Sequence, residues 1–185
     1  MTADRSSIAP FYADWRDYNL RVVEHLRSLS AGDLALSAPG MDHWPIWALA
    51  GHTAGTRVYW LCQVFGEPGA ETTPFADPSG LGWEDTLDVV RSAAELADAW
   101  ESTWAVVQGC LDRWTPETLE VTVQRRKKDG VEIHSRQSIL LRMITHEAYH
   151  GGEIALIEGI HGRPQLDLWP PRDWLVAPGE PTPEP

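Results

Sequence analysis

The chain has 185 residues, 43% hydrophobic and 23% charged, the composition of one globular domain around a single core. Its 27 acidic against 15 basic residues give a formal charge of -12, which repels phosphate backbones and anionic lipid surfaces, so neither nucleic acid nor a membrane is an expected partner. The opening MTADRSSIAP lacks the basic and apolar stretches of a secretory leader, and Cys62 and Cys110 fall in segments of helical period, so a cytoplasmic, thiol-reduced protein is expected.

Phe11, Trp15, Tyr18, Val22, Leu26 and Leu29 recur at three- and four-residue steps, which predicts an amphipathic helix over residues 8–30. A second helix is expected over 44–65, with Pro45 in its first turn; Ile46, Trp47, Leu49, Val58, Trp60, Leu61 and Val64 make it apolar nearly all round, as for a helix inside a bundle. Residues 66–83, rich in Gly, Pro and Thr, read as a surface loop long enough to cover a site. Leu87, Val90, Leu96, Trp100, Trp104, Val107 and Leu111 predict a third helix over 83–114. The period then falls to two, with Leu119, Val121 and Val123 on one side of Asp129-Gly130 and Val131 and Ile133 on the other, which predicts a hairpin. The basic run Arg125-Arg126-Lys127-Lys128 at its tip has the composition of a nucleic-acid or phosphate patch, but in so acidic a chain it reads as solvated charge on an exposed hairpin end. A last helix over 135–160 precedes a Pro-rich tail, expected to be extended and anchored by Trp169 and Trp174. The expected architecture is all-α: a four-helix bundle with a short hairpin, forming one domain over 1–165 and a tail over 166–185.

Seven histidines separate by placement. On the last helix Ile139, Met143, His146, His150, Ile154 and Ile157 share one stripe, so two imidazoles one turn apart point toward the core, where they can converge on one metal ion. His52 on the second helix shares a face with Ala48, Leu49, Gly55, Thr56 and Tyr59, whose small members leave room around the ring. His52, His146 and His150 together would supply the three protein ligands of an open metal site. His25, His43, His134 and His161 lie near helix edges, caps or a strand end and have ordinary structural explanations.

The stretches WPIWALAGHTAGTRVYWL and ITHEAYHGGEIALIEGIHG resemble the DinB/YfiT-like superfamily of metalloenzymes. The resemblance implies an up-down-down-up four-helix bundle, a metal held by His52, His146 and His150, and a homodimer. Characterised relatives include thiol-dependent enzymes, bacillithiol S-transferases and a mycothiol-dependent maleylpyruvate isomerase among them. A divalent metal with open positions can bind a low-molecular-weight thiol as thiolate, or activate water for hydrolysis, for a small-molecule substrate. Imidazoles suit zinc, nickel, iron or copper, with zinc named first because an open three-histidine site is well attested for it.

Two other functions compete. His146-Glu147-Ala148-Tyr149-His150 satisfies H-E-x-x-H, the zinc peptidase motif in which Glu147 would be the general base, although Glu153 and Leu156 stand where the extended motif needs Gly and His. Alternatively, the bundle stores or senses metal, or serves as a stress-response binding protein without turnover. Around the histidines, Tyr59 is a candidate proton donor, Arg142 a carboxylate holder, Glu153 a group that orients an imidazole or takes a proton, and Glu147 a base, each with a plain structural contact as the alternative. Cys62 reads as a small core residue, and most of the 10 tryptophans as core.

Overall fold

Three serines decide where three helices begin. The side chains of Ser30, Ser92 and Ser135 accept the backbone N–H three residues on, from Asp33, Glu95 and Ser138, and the side chains at those positions accept in return from the serine N–H. The computed structural model describes residues 6–40, 44–77 and 82–169. After a 3-10 turn at Ala9–Tyr12 the chain runs through α1 (Ala13–Ser28), the single turn α2 (Ala31–Leu34) and α3 (Ile46–Val58). It then forms α4 (Ala93–Arg113), an antiparallel hairpin of β1 (Thr122–Lys127) and β2 (Gly130–Ser135), and α5 (Arg136–Ile160). Helix α1 packs on α4, α4 on α3, and α3 on α5, so the expected helical bundle with a short hairpin is the fold. Among the described residues no helix is long and apolar enough to cross a membrane.

The core has two clusters. One gathers Val22, Leu26, Leu49, Leu96, Trp100 and Ile157, the other Trp15, Trp60, Leu61, Leu111, Trp114 and Met143. A buried polar network ties them together. Arg57 of α3, 0% exposed, donates from Nε to Glu147 of α5 at 2.7 Å and from Nη1 to Asn19 at 2.8 Å, and its guanidinium lies 4.3 Å from the centre of the Trp100 ring. The other Glu147 oxygen accepts from Trp15 Nε1 at 2.8 Å. Thus the helix expected to be apolar all round carries a fully buried cation, affordable only because a carboxylate, an amide oxygen and an aromatic face surround it.

Several expectations are corrected. Phe11 is 79% exposed, because the 3-10 turn shifts its phase from that of α1 and Ile8, whose N–H is bonded to the Trp114 carbonyl, takes the inward place. The third helix starts at Ala93 instead of near Trp83, since the Ser92–Glu95 capping box sets its end, and Leu87 and Val90 are left exposed. The 66–83 segment is partly packed: Thr73 and Phe75 are buried, and it holds 3-10 turns at Ala70–Thr72 and Trp83–Asp85. Trp169 is 81% exposed, so it does not anchor the tail; Leu166 and Leu168 pack on the core instead, and the backbone N–H of Leu166 donates to buried Glu158. Trp174 and His43 lie outside the described residues.

Glu67 pins the segment after α3 to both neighbouring helices. It accepts from Arg113 at 2.9 Å, Trp114 Nε1 at 2.9 Å and Arg136 at 2.7 Å. Burial alone would raise its pKa, but these donors together hold it below its ordinary 4.5. A depressed carboxyl contributes stability above its unfolded pKa and loses it as pH falls through the folded one. Glu67→Gln is therefore expected to lower the unfolding free energy by about 2 kcal/mol at pH 7. That deficit should shrink in urea titrations below about pH 4.5; a deficit of equal size at pH 3 would contradict a charge-based role.

Candidate metal centre

Helix α3 presents His52 and helix α5 presents His146 and His150, and one ring nitrogen from each lies within 4.8 Å of the others. The Nε2 atoms of His52 and His146 are 3.0 Å apart. Carboxylates stand behind two of the rings: His52 Nδ1 meets Glu84 Oε1 at 2.6 Å, and His150 Nδ1 meets Glu153 Oε2 at 2.7 Å. A carboxylate in this position accepts a hydrogen bond from Nδ1–H and so favours the tautomer whose lone pair is on Nε2.

Burial, and then the neighbouring His150, His52 and Arg142, hold the His146 pKa down to about 4, so this ring is neutral at pH 7. Its Nδ1 is buried without a hydrogen-bond partner among the described residues. Ring nitrogens that crowd together this closely need something between them, either a shared proton or a cation. Nitrogens bound to one zinc ion at about 2.1 Å lie about 3.0–3.4 Å apart, so the observed spacing fits an ion as well as a proton. Three imidazoles, two of them with a carboxylate behind the ring, form a donor set for a borderline divalent metal.

The cluster opens into a cavity of about 410 Å³. Helix α3 continues there as a π turn, Tyr59–Val64, which places Tyr59, Trp60 and Gln63 on the cavity wall. Phe75 also lines the cavity, packed against α3 where position 55 is glycine; a Cβ there would lie 3.1 Å from the Phe75 ring.

The structure brings His52, His146 and His150 together and sets Glu153 on His150. Tyr59 and Arg142 line the cavity, Arg142 with its guanidinium 5.0 Å from the Trp60 ring centre. Glu147 is not in this group. It is 2% exposed and both oxygens are taken by core donors, so the H-E-x-x-H spacing lacks an available base, and the peptidase reading loses the residue it depends on. Cys62 is partly buried against both core clusters with its thiol pKa raised, chiefly by desolvation, as for a packing residue.

Of the other histidines, His25 pairs with buried Glu158 at 2.6 Å, His134 with Glu132, and His161 with the Ser37 carbonyl. No sequence motif marks Glu84. It sits in a 3-10 turn, Trp83–Asp85, in a stretch whose apolar period reads as the start of the third helix, and its only signal is that it closes the long loop. In the basic run Arg126, Lys127 and Lys128 are exposed, as expected of solvated charge, while Arg125 is half-buried, and Arg125 and Lys127 also line the cavity.

No curated protein matches the chain. A DinB-like protein from Bacillus cereus ATCC 10987, known from its crystal structure, is 19% identical and superposes with a TM-score of 0.59 over 85% of this chain and 95% of that one, which shows a shared fold. The sequence pattern of the DinB superfamily matches residues 19–154, a span that contains all three clustered histidines and both carboxylates behind them, and the chain belongs to that superfamily.

Proposed function

We propose that the protein is a metal-dependent enzyme in which His52, His146 and His150 hold a divalent ion, zinc first among them, beside a substrate cavity. The convergence of three imidazole nitrogens, two with carboxylates fixing their tautomer, carries this reading. Such an ion supplies Lewis acidity, lowering the pKa of a bound low-molecular-weight thiol or of water so that a nucleophile exists at neutral pH. In this reading Glu84 and Glu153 orient the rings, and Tyr59, on the cavity wall, is the candidate proton donor. A storage or sensing protein needs no adjoining chamber, and the 410 Å³ cavity reaching both His52 and His146 supports turnover instead.

Cobalt(II) substitution tests this reading. The cobalt-loaded protein is expected to show visible ligand-field bands, and 2-mercaptoethanol to add a near-ultraviolet sulfur-to-cobalt band. Ligand-field bands that the thiol leaves untouched would favour water activation, and a protein that never develops them would overturn the site.

A further inference from the structure

Strand alternation sorts the basic run into two faces. Arg125 and Lys127 point to the cavity, while Arg126 between them faces away. The Arg125 guanidinium lies 5.1 Å from the Tyr59 ring centre and 5.3 Å from that of Trp60, and Arg142 from α5 lies 5.0 Å from the same Trp60 ring. Three cations therefore converge on one chamber of a chain whose formal charge is -12.

Their internal neutralisation is thin. Arg125 reaches Glu132 at 3.3 Å, but that carboxylate is shared with His134. Among the described residues no carboxylate lies within ion-pair distance of Lys127 or Arg142, and the three cations face only two carboxylates, Glu132, which also feels Lys127, and Glu84, which bonds His52 through one oxygen. Like charges gathered on a partly enclosed wall repel one another unless an anion lies between them. Both guanidiniums are braced by an aromatic face, which limits the freedom lost when they grip a planar anionic group.

We propose that the cavity takes a small organic anion, its carboxylate or phosphate group held by Arg125, Lys127 and Arg142 and its apolar part against Trp60 and Phe75. As a substrate class for the proposed enzyme this rests on the metal reading, but the cationic wall needs no metal to bind. The anion's charged end sits on the hairpin side and its body extends toward the histidines, where a nucleophile would meet it.

The test is calorimetric titration of the full chain with benzoate, phenyl phosphate and the neutral isostere benzamide, on zinc-loaded and on chelator-treated protein. Anions are expected to bind about tenfold or more tightly than benzamide in both forms, as charge-assisted pairing requires. Arg142→Gln and Lys127→Gln should each weaken anion binding about tenfold, Arg142→Lys should recover part of it, and Arg126→Gln, the same charge change on the opposite face, should leave it unchanged. Preference for benzoate or for phenyl phosphate identifies the charged group as carboxylate or phosphate, and either supports the proposal. Equal binding of benzamide and benzoate, or an equal loss in Arg126→Gln, would overturn it. Discrimination that persists in a protein unable to take up zinc would sink the metal reading alone, whereas zinc uptake without discrimination would sink the anion wall alone.

Discussion

Glu147→Gln is expected to lower the unfolding free energy by about 3–5 kcal/mol, the cost of leaving a buried cation without its counter-charge. Arg57 has no exposed surface, and no other carboxylate pairs with it among the described residues. Glutamine keeps an oxygen for the Arg57 Nε–H but removes the charge, and its amide has to face donors on one side. Urea unfolding should show a lower midpoint with an unchanged slope. Because Arg57 and Glu147 act as one unit, pairing Glu147→Gln with Arg57→Met should cost less than the sum of the two single changes. A catalytic base behaves in the opposite way: Glu147→Gln would then leave stability intact and remove turnover. The same variant thus separates a structural carboxylate from a peptidase base that happens to share its sequence spacing.

The second large effect concerns the residue the sequence did not disclose. Glu84→Ala is expected to weaken zinc affinity about 10- to 100-fold, because His52 loses the acceptor that holds its proton on Nδ1 and its Nε2 lone pair toward the cluster. Glu84→Gln, which retains an oxygen acceptor, should lose less. Competition against a chromophoric chelator measures both. Glu153→Ala should act in the same direction through His150. Affinity equal to the parent in Glu84→Ala would show that the carboxylate serves the loop and not the imidazole.

The helices and the histidine cluster were legible because both depend on local period. His146 and His150 lie on the stripe of Ile139, Met143, Ile154 and Ile157, and one turn of helix brings their ring centres to 4.5 Å. His52 could be assigned to the same centre because its helix had to be internal. What stayed hidden depends on pairings across long stretches of chain. Glu147 and Arg57 are 90 residues apart, and Glu84 and His52 are 32 apart through a loop without a period. Spacing marks Glu147 as half of a peptidase motif, and only the packing of α3 against α5 shows that it faces an arginine. The basic run shows the reverse limitation: alternation in a hairpin tells which residues share a face, yet only the docking of that hairpin beside Trp60 makes the face of Arg125 and Lys127 a cavity wall.

Metal content, determined by plasma mass spectrometry on untagged protein after zinc loading and dialysis, tests the three-histidine centre most directly when the parent is compared with His52→Ala. About one zinc per chain is expected in the parent and less than about one tenth of that in the variant, since the remaining pair on α5 offers only two ligands. A folded parent that retains no zinc, or nickel offered in its place, would contradict the metal centre, and so would a His52→Ala variant that retains as much metal as the parent.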